Sequence, residues 1–241
     1  MLALAVAIAA AWLAPAALLD QRIADTTSGM ARLAEADGTI WNGRGILVAP
    51  GTRIAIAWRV ECWPLLRRVL RVRLASGTGA ATPRATIEAS ADTLAFHDVD
   101  VTLPAQVFAA TLSRFAIESV AGEFSLRADA IEWKPDSSRG EARVIWHAAR
   151  IALAGSAAPL DLGDVRMRVS ADGNALSGKV ANEGGDLALR GEWAMRANDS
   201  VQLALQLTPR RPVPADLERI LTAIGTAEGN GWRIDWRGPL Q

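Results

Sequence analysis

The segment LALRGEWAMRANDSVQLALQL, residues 187–207, decides the fold class of this chain. Its apolar side chains recur at every second position, with polar or small side chains between them. The apolar positions are Leu187, Leu189, Trp193, Met195, Val201, Leu203, Leu205 and Leu207. A period of two is that of a β-strand, and Asn198-Asp199-Ser200 supplies a turn between the two runs. The segment therefore predicts an antiparallel hairpin with one apolar and one solvated face.

The same period extends outward along the chain in both directions. Apolar residues alternate with polar or small ones in four further runs, at residues 53–60, 70–74, 165–169 and 232–236. Clusters of turn-forming residues separate the runs, as at residues 76–79 and 182–185. We therefore expect a mostly β fold, in which roughly a dozen strands of ordinary length form a curved, largely antiparallel sheet.

Two short segments interrupt the strand pattern and are predicted to be helices. They are residues 104–113, PAQVFAATLS, and residues 214–225, PADLERILTAIG. Each begins with proline, which suits the first turn of a helix. Each is followed by a Gly-led strand that carries Trp. The order of strands, helix and strand therefore occurs twice. Either the domain consists of two similar halves, or the repetition is due to chance.

The N-terminal residues 1–19, MLALAVAIAAAWLAPAALL, carry no charged side chain. As a helix they would be just long enough to cross the membrane hydrocarbon core, about 30 Å thick. A cleaved signal peptide is the alternative, but no Lys or Arg precedes the apolar run, so we favour a retained transmembrane anchor. Residues 20–37 read as a helical connector, because Ile23, Met30 and Leu33 fall on one helical face. Residues 38–241 would then form the β-rich domain.

The composition argues against several classes of function. Lys and Arg number 26, as do Asp and Glu, so the net charge is zero and no overall field attracts nucleic acid. The single cysteine, Cys62, excludes an intramolecular disulfide and a cysteine-based zinc cluster. No motif brings a nucleophile, a base and an orienting group together. We therefore expect a protein that is not an enzyme and that needs no cofactor or metal.

Five residues are the best candidates for contact with a partner protein or with lipid. Trp41 and Trp63 stand at strand ends close to Gly or Pro, where a tryptophan is less committed to the core. Arg67, Arg71 and Arg73 belong to a basic cluster that would suit an acidic protein surface or anionic lipid. An ordinary solvated strand face is the alternative explanation of the cluster.

The tryptophans on apolar strand faces are expected in the core. They are Trp58, Trp146, Trp193 and Trp236. Two short helices cannot cover the apolar face of so many strands. Either the sheet curls on itself, or part of that face stays open. We expect a partly open concave surface lined by aliphatic and Trp side chains, used for a partner protein or for lipid.

A series of short motifs follows the N-terminal apolar segment in a fixed order. The first are GTIWNG at residues 38–43, then Trp58 and Val60 before the turn Pro64-Leu65-Leu66. Further along lie a strand from Gly140 to Trp146, GDLALRGEW at 185–193, a Leu-rich strand at 203–209, and a helix ending at Leu221 and Gly225 before a Gly-led strand. Taken together, over about residues 1–240, they resemble the N component of the bacterial type II secretion system, the protein N (GspN) family. Cys62-Trp63 before the turn departs from the family pattern.

The resemblance implies a single-pass protein of the bacterial inner membrane with its C-terminal domain in the periplasm. It implies an accessory role in the export of folded proteins across the outer membrane. The partners would be other inner-membrane components of the system and the outer-membrane secretin. The family is also similar to AsmA-like proteins, which implies an alternative role as a periplasmic lipid-binding or lipid-transfer module.

Overall fold

A computed structural model describes residues 14–27, 29, 31–49, 52–61, 64, 68–76, 84–109, 117–134, 137–196 and 200–239. Within these ranges the chain is predominantly β-strand. It divides into two compact units, Met1–Val99 and Asp100–Gln241. The strand pairings recorded within each unit are antiparallel. The predicted mostly β, antiparallel fold class is therefore confirmed.

The first unit is a meander of strands preceded by one helix. Its elements are α1 (Leu18–Thr26), β1 (Arg32–Gly38), β2 (Asn42–Ala49), β3 (Thr52–Glu61), β4 (Leu70–Ser76), β5 (Arg84–Ala89) and the first part of β6 (Leu94–Pro104). From β1 to β5, each strand pairs with the next. The core of this unit is built around Ala16, Leu33 and Trp58, all buried.

The second unit begins within β6 and contains the longer strands. A 3₁₀ helix (Ala105–Phe108) is followed by β7 (Ile117–Trp133), β8 (Ser138–Leu153), β9 (Leu160–Gly173), β10 (Ala175–Glu183), β11 (Leu187–Arg196) and β12 (Ser200–Pro209). The last elements are α2 (Ala215–Ile224), β13 (Thr226–Glu228) and β14 (Gly231–Pro239). Strands pair in chain order up to β12, which pairs with β14, and β13 forms the outer edge.

Helix α2 covers one end of the apolar face of the second unit. Its Leu217 and Leu221 are buried in the same cluster as Leu187, Leu207 and Trp232 of strands β11, β12 and β14. Leu187 is fully buried, at 0% exposure. Pro214 caps the helix with an extended backbone, and Asp216 in the first turn complements the helix dipole. The same core extends to buried residues of β7, β8 and β9, such as Val120, Trp146 and Val165.

The connector predicted as helical over residues 20–37 is helical only in its first part. Helix α1 ends at Thr26, and residues from Arg32 onward form β1. Leu33 packs over Gly45 of β2, where a Cβ would lie 2.8 Å from the Leu33 Cδ1 atom. Pairing with β2 and burial against Trp58 thus outweigh the helical spacing of the apolar residues.

Residues 14–19 of the predicted membrane anchor are part of the first unit. The Ala16 amide donates to the Gly38 carbonyl (3.1 Å), and the Ile40 amide donates to the Ala14 carbonyl (3.0 Å). Ala16 is only 1% exposed. The predicted boundary at residue 19 therefore does not coincide with an element boundary, and residues 1–13 lie outside the described residues. In the described part of the chain, no helix is both long and apolar enough to cross a membrane.

Of the two predicted helices, the second is confirmed, and the first is described only in part. Helix α2 occupies most of residues 214–225. At residues 104–113 the structure has a 3₁₀ helix of four residues, and residues 110–113 lie outside the described ranges. Both helices lie in the second unit, so the two compact units are not the two similar halves suggested by the sequence. Those halves stay a prediction.

Candidate functional site

Trp41, the first candidate contact residue, lies in the turn between β1 and β2. Its amide donates to the Thr39 hydroxyl oxygen (3.3 Å), and its carbonyl accepts from the Val60 amide (2.6 Å). The residue is half-buried. Its backbone thus ties the β1–β2 turn to β3, and its contact with a partner stays a prediction.

Arg71 and Arg73 of β4 are part of a ladder of ion pairs across three strands. The Arg71 guanidinium contacts Glu88 of β5 at 2.7 Å and Glu61 of β3 at 3.1 Å, and Arg73 contacts Glu61 at 2.5 Å. The hydrogen bond that Arg71 donates to Glu88, followed by the one that it donates to Glu61, raises the pKa of Arg71 above its ordinary value. The two arginines therefore face two carboxylates, which reduces their attraction for anionic lipid.

The ladder could not be read from the local sequence. Glu61 and Glu88 meet Arg71 only because both lie opposite it in the strand register. Sequence reasoning grouped Arg71 and Arg73 with Arg67 by proximity along the chain, whereas their neighbours are acidic residues of adjacent strands. Trp63 and Arg67, the other two candidates, lie outside the described residues.

A row of apolar residues crosses the second unit on the same face as α2. In register order, it runs from Val169 through Gly178, Trp193 and Leu203 to Trp236. We call these five residues the tryptophan row. Each of five neighbouring strands contributes one residue to the row. The five residues lie on one face, because directly opposite residues share a sheet face.

Burial falls along the apolar face from the α2 end to the tryptophan row. Leu207 and Trp232, under α2, are 6% and 7% exposed, whereas Leu205 and Ile234 in the next row are half-buried. In the tryptophan row, Trp193 and Leu203 are half-buried and Trp236 is 36% exposed. The prediction of burial is thus confirmed for Trp58 and Trp146 but is wrong for Trp236. Helix α2 is too short to extend over this part of the face.

The opposite face of the same strands forms a depression of about 1000 Å³. Its charged lining consists of Arg168, Lys179, Glu192, Arg233, Asp235 and Arg237. Two ion pairs lie within it, Lys179–Glu192 (3.2 Å) and Arg233–Asp235 (2.7 Å). The hydrogen bond that Arg233 donates to Asp235 is the main cause that raises the pKa of Arg233. The lining also includes Trp193, Leu203 and Trp236, so charged residues share this concavity with aliphatic and Trp residues of the kind that we expected.

The described residues offer little for catalysis or metal binding. His147 Nδ1 lies 3.6 Å from Asp164 Oδ2, and both side chains are close to half exposed. The Ala148 amide donates to Asp164 (3.0 Å), and this bond is the main reason why the pKa of Asp164 lies below its ordinary value. Among the described residues, no group of three or more His, Cys, Asp or Glu side chains is placed to hold a metal ion.

Comparison with known families identifies the chain. The family model described as Type II secretion system (T2SS), protein N matches residues 30–234, which include all the strands up to the middle of β14. The chain belongs to the protein N family of the type II secretion system. The resemblance carried by the ordered motifs is therefore confirmed, and the match covers both compact units.

Membership in the protein N family makes the chain an accessory component of the type II secretion system. It also implies association with the cell envelope and with other components of the system. No curated protein and no solved structure matches the chain.

Proposed function

We propose that the protein is a non-enzymatic scaffold of the type II secretion system, which uses the tryptophan row to contact another component of the system. The proposal combines the family match with the incomplete cover of the apolar face. Apolar surface that stays in water is unfavourable, so an uncovered row of aliphatic and Trp side chains suits a protein partner. The partners that we favour are the inner-membrane components and the outer-membrane secretin.

Two neighbouring residues of β12 allow this contact to be tested in cells. Leu203 belongs to the tryptophan row, whereas Gln202 points to the opposite face and is exposed. A photo-crosslinking amino acid at position 203 should capture another component of the secretion system, and the same group at position 202 should capture much less of it. Equal capture at both positions, or none at position 203, would contradict the proposed contact.

We further propose that the protein is anchored in the inner membrane, with both compact units in the periplasm. Residues 1–13 carry no charged side chain, in keeping with an apolar anchor. The full chain should stay with the membrane pellet after an alkaline carbonate wash, and its release into the supernatant would contradict the anchor.

A second candidate function is the AsmA-like binding or transfer of lipid. The uncovered tryptophan row favours it as well, because an acyl chain would also cover apolar side chains. Phospholipid extracted from the purified full chain, measured by mass spectrometry, separates the two functions. The scaffold proposal expects lipid well below one molecule per chain and no change in the bulk lipid composition of cells that lack the protein. Stoichiometric lipid, together with a permeable envelope in such cells, would favour the lipid function instead.

A further inference from the structure

The outer edge of β14 is unpaired over its last residues. The short strand β13 pairs only with the start of β14, from Gly231 to Arg233. On its other side β14 pairs with β12 along residues 232–239. Among the described residues, no strand pairs with the outer edge of β14 beyond Arg233. We call residues 234–238 of this strand the open edge.

The hairpin before the open edge fixes which backbone groups point outward. The two-residue turn Gly229-Asn230 joins β13 to β14, and the hydrogen-bonded pair Glu228–Gly231 closes such a turn. Residues of a strand direct their N–H and C=O groups to alternate sides. Asp235 and Arg237, at two-residue steps from Gly231, therefore direct theirs toward the open side. The open edge thus presents two N–H and two C=O groups.

We propose that the open edge pairs with the open edge of a second copy of the chain, antiparallel and centred on Trp236. In this register, Asp235 of each copy lies opposite Arg237 of the other, and the two Trp236 residues face each other. Each Asp235–Arg237 pair would exchange two backbone hydrogen bonds, which satisfies all four outward groups. A two-fold interface requires a self-complementary surface, and this register provides one.

The side chains support the same register on both faces of the strand. On the polar face, opposite charges lie directly across from one another, which stabilises an antiparallel pair. Charged residues of a single sign would repel a second copy, as they do on many protected edges. On the apolar face, pairing would bring two Trp236 side chains together, each now 36% exposed. At the ends of the register, Gly238 of one copy lies opposite Ile234 of the other. Because glycine has no side chain, nothing there clashes with Ile234.

The contact that Asp235 makes within its own chain is compatible with this pairing. Asp235 accepts from Arg233 at 2.7 Å, but both side chains are more than half exposed to solvent. A solvent-exposed ion pair contributes little to stability, and a carboxylate can accept from two arginines. Asp235 can therefore contact Arg237 of the second copy without losing Arg233.

Cysteine crosslinking of the full chain tests the register. In a Cys62→Ser background, Trp236→Cys would place two thiols in a non-hydrogen-bonded pair, with Cα atoms about 4.5 Å apart. This separation is within the range of a disulfide, so mild oxidation should give a covalent dimer. The matched control is Trp133→Cys, because Trp133 is also exposed, at 47%, but lies on β7. Absence of the dimer for Trp236→Cys, or an equal yield for both variants, would overturn the proposal.

Charge reversal tests the same interface without removing Trp236. By sedimentation of the full chain, Arg237→Asp should weaken dimerisation about tenfold or more, because two attractive pairs become repulsive. Combining it with Asp235→Arg restores opposite charges across the edge and should recover most of the affinity. Lys179→Asp, in the charged depression of the same unit, is the control and should leave dimerisation unchanged. A full chain that stays monomeric, or a double variant no better than Arg237→Asp, would overturn the proposal.

Discussion

At the scale of single residues, a glycine lies opposite a tryptophan of the neighbouring strand at two places. Gly43 lies opposite Trp58, and Gly178 lies opposite Trp193. A Cβ at Gly43 would lie 2.5 Å from Cζ2 of Trp58, and one at Gly178 would lie 2.6 Å from Cε2 of Trp193. Each indole thus packs against the backbone of the neighbouring strand, where a side chain would exclude it. A glycine that weakens a strand by itself is here compensated by aromatic packing.

This packing predicts a clear effect for Gly178→Val. The new side chain would displace the Trp193 indole, and overpacking of this kind costs about 1–3 kcal/mol in the free energy of unfolding. Ser177→Val, one position away on the opposite and exposed face, should change the same quantity by about 0.5 kcal/mol or less. Urea denaturation of the two variants measures both changes. Similar losses would show that Trp193 does not lie over Gly178.

The candidate site shows what can be predicted from single residues and what cannot. The alternation of Leu187, Leu189 and Trp193 was sufficient to predict which side chains share a face, and the structure confirms it. The partners of Arg71 were beyond prediction, because Glu61 and Glu88 are 10 and 17 residues away along the chain and meet it only through strand register. The exposure of Trp236 also depends on tertiary structure, since its strand lies next to a very short edge strand.

At the scale of elements, α2 is the main cover of the apolar face in the second unit. Leu221 is 2% exposed within the core, whereas Ile224, one turn later at the end of the helix, is 54% exposed. Leu221→Ala should therefore lower the free energy of unfolding by about 2–5 kcal/mol, as buried Leu→Ala changes do. Ile224→Ala should cost about 0.5 kcal/mol or less. Comparable losses in denaturant unfolding would mean that α2 does not pack as described.

The segment before α1 is a second element whose role can be measured. Ala14–Ala17 pair with the turn after β1 through two backbone hydrogen bonds, and Ala16 is buried. A chain that begins at Asp20 should be less stable than one that begins at Ala14, by about 1–3 kcal/mol for two lost hydrogen bonds. Thermal or denaturant unfolding of the two truncated chains gives this difference. Equal stabilities would assign residues 14–19 to the anchor after all.

Element boundaries were less predictable than element types. The period of two identified strands throughout the chain, and Pro214 with its following apolar residues identified α2. The helical prediction is wrong for residues 32–37, because Leu33 satisfies both a helical spacing and a strand position, and only the neighbouring Gly45 and Trp58 favour the strand. A short apolar segment is ambiguous in this way until its tertiary partners are known.

At the scale of the whole molecule, each compact unit has a core of its own. The first is built around Trp58 and Leu33, and the second joins α2 to the strands of its unit. The family match extends across both units. The sequence alone does not predict how much of the apolar face α2 covers. Burial of the tryptophan row depends on how far this ten-residue helix extends over five strands. The uncovered row is the feature on which the proposed scaffold function depends.

Export in living cells is the most direct test of that function. Cells that lack the protein would be supplied with the full chain carrying either Leu203→Glu in the tryptophan row or Gln202→Glu on the opposite face. Both variants should accumulate as folded protein, which protease resistance of the two units can verify. A substrate of the type II system, measured in the medium and in the periplasm, should remain in the periplasm with Leu203→Glu and reach the medium with Gln202→Glu. Normal export with a folded Leu203→Glu protein would contradict the account.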